Sequence, residues 1–229
     1  MSLTNNEKKM KRAIIKLCAL CGLVTLAGCG TYGRKANEQA LAYLNRGIEL
    51  QSEGSHTEAI REFDRAIGKN KKMVDVYYFR GLSEKALGNN ISALVDFSEA
   101  IRLCPDFAEA YFSRSAVLIT FDYDWAMEDL DKAIYYKHDF AEAYTQRGAL
   151  RLLPGFENHA AAMADLSEAI RIDPASHAST EAYMIRGGLH ETLGDFDNAI
   201  NDWEEVLRID PDNALAGKFI EECRRKRGH

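Results

Sequence analysis

From residue 40 to residue 213, apolar positions recur at spacings of three and four, the period that lines one face of an α-helix. The pattern alternates between two forms. The first passes through Tyr43, Arg46 and Gly47 and returns as Tyr77/Arg80/Gly81, Tyr111/Arg114/Ser115, Tyr144/Arg147/Gly148 and Tyr183/Arg186/Gly187. The second reads Ala59-x-x-x-Phe63-x-x-Ala66 and returns as Ala93/Phe97/Ala100, Ala126/Leu130/Ala133, Ala162/Leu166/Ala169 and Ala199/Trp203/Val206. Each copy therefore predicts two helices. The small residue after each arginine, and the first alanine of the second form, mark places where the paired helices cross closely. Gly54, Gly88 and Gly194 turn the chain between paired helices, and Pro105, Pro174 and Pro211 end three of the second helices.

The copies span 40–73, 74–107, 108–140, 141–176 and 180–213. Three have 34 residues, the third is one shorter and the fourth two longer. Both length changes fall in the turn between the paired helices. There Phe121-Asp122-Tyr123-Asp124 replaces a glycine turn, and Pro154-Gly155-Phe156 expands one; His177-Ala178-Ser179 reads as an insertion before the fifth copy. Such changes are either tolerated drift in surface turns or sites of partner-specific contact.

This series of copies resembles the tetratricopeptide repeat family. The resemblance implies an all-α, right-handed superhelical solenoid of five helix-turn-helix repeats, since hairpins unable to bury their apolar faces alone must stack. Residues 214–229 then form a capping helix, amphipathic from Ala214 to Cys223, with a basic tail from Arg224 to Arg227. The tail reads by default as a solvated helix end whose cations complement the helix dipole. The resemblance also implies that first helices line a concave face. Its partner-contacting positions fall on Leu44, Ile48, Tyr78, Leu82, Lys85, Phe112, Ala116, Ile119, Thr145, Ala149, Leu152, Met184 and Glu191. That set is mostly apolar, which suits a groove taking apolar side chains of another protein. The alternative for any one of them is packing between neighbouring helices.

Where the family commonly places an apolar residue, every copy has arginine: Arg46, Arg80, Arg114, Arg147 and Arg186. Every copy also has an acid just before the large residue of its second helix: Glu62, Asp96, Asp129, Asp165 and Asp202. The acid follows the helix frame even where the turn length changes. An anion-binding ladder is one reading. Arg–carboxylate pairs between the two helices of each copy are the preferred one, because five counter-charges leave few donors for a ligand.

Ahead of the copies, Lys11, Arg12 and Lys16 precede the apolar run Leu17–Ala27, which ends in Leu26-Ala27-Gly28-Cys29. A basic segment, about a dozen apolar residues and small residues at the end describe a secretory signal, too short to span a bilayer comfortably. The last four residues resemble the lipobox of bacterial lipoproteins. The resemblance implies cleavage before Cys29, diacylation of its thiol and acylation of the new amino terminus. Residues 1–28 are then the leader and 29–39 the lipidated tether. Gly30 in place of the inner-membrane retention aspartate implies the outer membrane, facing the periplasm. Met10 opens a cleaner leader than Met1, so either methionine is a candidate start.

Charge separates along the chain. Residues 1–29 carry +4 and the remainder −10. An acidic body argues against nucleic acid, whose phosphates need clustered Lys and Arg. Six histidines lie at no metal-ligand spacing, and no phosphate-binding loop or nucleophile elbow occurs. No cofactor or metal is expected. Cys18 and Cys21 belong to the leader; Cys104 and Cys223 lie about three copies apart, too far to bond to each other, and are expected as unpaired structural thiols. With no room for a catalytic domain beside the repeats, the expectation is a non-enzymatic, membrane-anchored scaffold binding envelope or periplasmic proteins. Lipoproteins of this kind assist pilus or secretin assembly or recruit cell-wall enzymes. The rival readings are a cell-wall enzyme with an unrecognised site and a self-associating structural lipoprotein.

Overall fold

A computed structural model describes residues 38–227. The leader, the start codon question and Cys29 lie outside the described residues. Among the described residues all regular structure is helical: α1 (Glu38–Ser52), α2 (His56–Lys69), α3 (Val74–Ala86), α4 (Asn90–Leu103), α5 (Ala108–Leu118), α6 (Tyr123–Tyr136), α7 (Ala141–Leu150), α8 (His159–Ile172), α9 (His177–Thr192), α10 (Phe196–Ile209) and α11 (Ala214–Arg227). No helix among them is long and apolar enough to cross a membrane. The helices fall into two compact units, α1–α5 up to Phe121 and α6–α11 from Asp122. The break lies in the turn of the third copy, the one that lacks the glycine signal.

Within each unit, successive helices pack as antiparallel hairpins, and each hairpin rests on the next. In the first unit Leu44, Ala59, Phe63, Ala66 and Val76 form one apolar cluster, and Ala93, Phe97 and Val117 another. In the second, Tyr183, Ala199, Trp203, Val206, Ala216 and Ile220 pack together. Burying one large side chain of this kind contributes about 1.5–3 kcal/mol. The close crossing is steric. At Gly187 a β-carbon would lie 2.6 Å from Trp203 Nε1, and at Gly47 2.4 Å from the Phe63 ring. The third copy uses Ser115 at this position, fully buried, with its hydroxyl donated to the Phe112 carbonyl.

Three turns share one design. Gly54, Gly88 and Gly194 have φ of +80°, +78° and +78°, and the next N–H bonds back five residues at 2.8–2.9 Å (Ser55 to Leu50, Asn89 to Glu84, Asp195 to His190). This paired closure satisfies the last helical carbonyls. In the third copy Asp122 instead caps α6 by accepting from the Asp124 and Trp125 N–H groups. In the fourth, α7 is only 10 residues long and the following turn runs from Arg151 to Asn158, with Asn158 N–H bonded to the Arg151 carbonyl. The His177–Ser179 segment lengthens the first helix of the fifth copy. It is the first turn of the 16-residue α9, capped by Ser176, whose Oγ accepts from the Ser179 N–H.

The helix α11 covers the apolar side of α10, with Phe219 against Trp203 at 5.1 Å between ring centres. Thirty-four residues after Gly187 stands Glu221, exposed, where the other copies have glycine or serine.

Candidate functional site

The recurring charged positions form built pairs in the second, fourth and fifth copies. Arg80 donates Nε and Nη2 to the two carboxylate oxygens of Asp96 at 2.9 and 2.6 Å. Arg147 holds Asp165 the same way at 2.9 and 2.7 Å, and Arg186 holds Asp202 at 2.9 and 2.7 Å. The aspartates are 2–5% exposed, so these are charge-assisted pairs shielded from water. Burial alone would lower the Arg80 pKa, but the hydrogen bonds and charge of Asp96 and then Asp64 outweigh it and hold the guanidinium charged. Burial likewise pushes the Asp96 carboxyl up while Arg80 pulls it back. The two-pronged contact is that of an ion pair, and Asp96 acts as the carboxylate.

Two further contacts complete each rung, and neither was anticipated. The remaining guanidinium nitrogen reaches the second helix of the preceding copy, always two residues beyond that copy's recurring acid. Arg80 donates to Asp64 at 2.5 Å, Arg114 to Ser98 at 2.9 Å, Arg147 to Asp131 at 2.6 Å and Arg186 to Ser167 at 2.9 Å. Each of these arginines also lies over the tyrosine three residues earlier, at 5.4–5.8 Å from the ring centre. The alternation Asp64, Ser98, Asp131, Ser167 stands in the aligned copies and is the sequence signal that reveals the contact. In the fourth copy Asp165 additionally accepts from Arg151 at 2.6 Å.

The first copy departs from the expected pair. Arg46 bonds Glu49 at 3.1 Å, and Glu62 bonds Arg65 at 2.6 Å. The reason is desolvation. The other arginines sit against a preceding second helix, whereas the Arg46 side chain is 57% exposed, so nothing forces it onto Glu62. Arg65 takes the place over Tyr43, at 6.0 Å. Arg114 and Asp129 belong to different units; in its own unit Arg114 makes the Ser98 contact, and Asp129 is 5% exposed.

The first-helix row divides. In the first unit Leu44 is buried in the Phe63 cluster, Ile48 packs against it, and Leu82 packs against Phe97 and Val117. Tyr78 lies among Phe79, Phe97 and Phe107 at 4.9–6.1 Å, and burial pushes its hydroxyl pKa up. Lys85 is exposed on that row, and Phe112, Ala116 and Ile119 are half-buried. In the second unit Thr145 is buried, its Oγ1 3.0 Å from the Ala141 carbonyl oxygen, which removes it from any groove. Met184 packs against the Trp203 cluster, while Ala149 and Leu152 are half-buried.

Glu191 is not a free groove carboxylate, because Lys226 holds it at 2.7 Å. Arg224 bonds Glu204 at 2.9 Å and Arg227 bonds Asp197 at 2.5 Å. The basic tail is therefore not a merely solvated helix end; it ties α11 back to α9 and α10. Cys223 is a free, fully buried thiol of α11. Cys104, by contrast, is 5% exposed and is not the unpaired thiol expected from the sequence. Among the described residues no group of His, Cys, Asp and Glu could hold a metal ion.

Stacked hairpins with close glycine crossings define the tetratricopeptide-repeat fold, all-α, and likeness to solved structures bears this out. The Pseudomonas aeruginosa pilF structure matches with a TM-score of 0.71 at 14% identity, covering 80% of this chain and 82% of that one. YrrB, described as a TPR protein with an unusual peptide-binding site, matches at 0.60 and 21% identity, covering 79% and 91%. In sequence, residues 180–213 match the tetratricopeptide repeat family. A tetratricopeptide repeat and J domain-containing co-chaperone of Cryptococcus neoformans is 28% identical over 102 residues, 44% of this chain. The chain spans about a fifth of the length of that curated relative.

Proposed function

We propose that this protein is a lipid-anchored scaffold of the bacterial envelope. It is acylated at Cys29, held at the outer membrane facing the periplasm, and binds segments of other envelope proteins on its first-helix face. Pilus or secretin biogenesis and recruitment of cell-wall enzymes are the assembly tasks that suit it. The observation that carries the reading is the disposition of charge. The frame arginines that are sheltered from water are tied to acids or serines of the repeats themselves, so their cations serve the stack. What the core leaves of the first-helix row in the first unit is apolar, the half-buried Phe112, Ala116 and Ile119, with Lys85 as its exposed charge. Apolar area with a polar rim is the composition of a protein-binding surface. YrrB's described peptide-binding site and the co-chaperone relative support the same class of role.

The test uses two positions on that row whose change leaves the rungs intact. Lys85→Glu with Ala116→Glu is expected to lose captured envelope proteins while melting within a few degrees of the parent. Retention of every captured protein by this variant would reject the first-helix face as the binding surface. Cys29→Ser, separately, is expected to move the protein from the membrane fraction to the soluble one.

A further inference from the structure

We infer that the turn between α2 and α3 is a docking surface for the anionic headgroups of a phospholipid bilayer. The inference rests on the proposed anchor at Cys29 for its proximity, and on the described structure for its shape and charge. Lys69, Asn70, Lys71 and Lys72 place three exposed ammonium groups within four residues. The turn has a fixed shape: the Lys72 N–H donates to Asn70 Oδ1 at 3.0 Å, and Tyr77 donates its hydroxyl to the Lys71 carbonyl at 3.1 Å. The acids just before it are engaged, Glu62 with Arg65 and Asp64 with Arg80.

Position in the fold adds the second argument. Because α1 and α2 form an antiparallel hairpin, the start of α1 and the end of α2 lie at the same edge of the repeat. Cys29 precedes Glu38 by nine residues, which at full extension reach about 30 Å. Arg34 and Lys35 lie within that tether. The edge carrying the three lysines is thus confined near whatever surface holds the anchor.

The other turns between copies do not share the charge. Asp106, Asp139, Asp173, and Asp210 with Asp212, stand in the later ones. The second unit carries 12 Lys and Arg against 22 Asp and Glu among the described residues, and an anionic surface repels it; the first carries 10 against 12. The denser basic run at Arg224–Arg227 is occupied by Glu204, Glu191 and Asp197. A lysine close to an anionic membrane favours it by about fivefold, an effect confined to within about 8 Å at physiological salt.

The acylated full-length protein is reconstituted into phosphatidylcholine vesicles and into vesicles containing one third phosphatidylglycerol. Flotation and amine-labelling rates at individual lysines are then measured. Labelling of Lys69 and Lys71 is expected to slow about fivefold or more in the phosphatidylglycerol vesicles and to recover in molar salt, with Lys132 and Lys218 unchanged. Flotation on both vesicles with equal labelling overturns the docking surface and leaves the anchor standing. Flotation on neither overturns both. Flotation on phosphatidylglycerol vesicles alone supports the docking surface without the anchor if Lys69→Gln/Lys71→Gln/Lys72→Gln abolishes it, and overturns the surface if that variant still floats.

Discussion

Replacing Asp96 by alanine removes both hydrogen bonds from one side of the Arg80 guanidinium and leaves Asp64 on the other. The two acids differ sharply in setting, the Asp96 side chain being 3% exposed and that of Asp64 55%. Removing one partner of a buried ion pair costs about 3–5 kcal/mol, because the remaining charge is stranded. Arg80 is itself 23% exposed and keeps Asp64, which reduces the expectation to about 2–3 kcal/mol. For a chain of this size that lowers the melting temperature by about 5–10 °C. Asp64→Ala removes a solvent-screened contact and should cost about 0–1 kcal/mol. Replacing the pair with Arg80→Met and Asp96→Leu removes both charges together, so the double variant should melt near the parent or above it. Thermal melts followed by circular dichroism separate these cases. If Asp96→Ala melts together with Asp64→Ala and the parent, the rung is not a stabilising element and its arginine is available for another role.

Gly187→Ala drives a β-carbon into Trp203 and should destabilise by about 1–3 kcal/mol, whereas Gly188→Ala meets open space and should be neutral or stabilise by up to about 1 kcal/mol; paired thermal melts compare them. Ser167→Asp gives Arg186 the carboxylate that Arg147 and Arg80 already have from the preceding copy, and a gain of about 0.3–1 kcal/mol in a urea titration is expected. Arg46→Ala should cost less than about 0.5 kcal/mol and Arg186→Ala several times more in the same titration, because only the second is buried against a neighbouring repeat. Burial pushes the Cys223 thiol up, with the Glu191 charge adding to it; maleimide should therefore modify Cys223 in urea and leave it unmodified in the native protein, as read by peptide mass.

Helix pairs, glycine turns and crossing points could be read from the chain because each depends on local periodicity and on one small residue at one place. The pairs at Asp96, Asp165 and Asp202 follow from an acid that keeps helix register while the preceding turn changes length. The contacts at Asp64, Ser98, Asp131 and Ser167 need the packing of one repeat on the previous one, which the pattern within a single repeat does not contain. Arg46 shares the motif but is 57% exposed, with no preceding helix among the described residues, so the repeat register alone assigned it to the wrong partner. Glu191 failed for a similar reason, since its counter-charge Lys226 arrives from 35 residues away. The first-helix row was the least readable part. Leu44, Tyr78 and Thr145 occupy family contact positions and yet are needed by the core, a matter of how deeply neighbouring hairpins interlock.

Photocrosslinking in living cells probes most directly whether the first-helix face receives other proteins. A photoreactive amino acid at Ala116, on that face, is compared with one at Ser92 on the exposed side of α4. Adducts to another envelope protein at residue 116 and none at residue 92 are the predicted result. Adducts at 92 with none at 116 would contradict it.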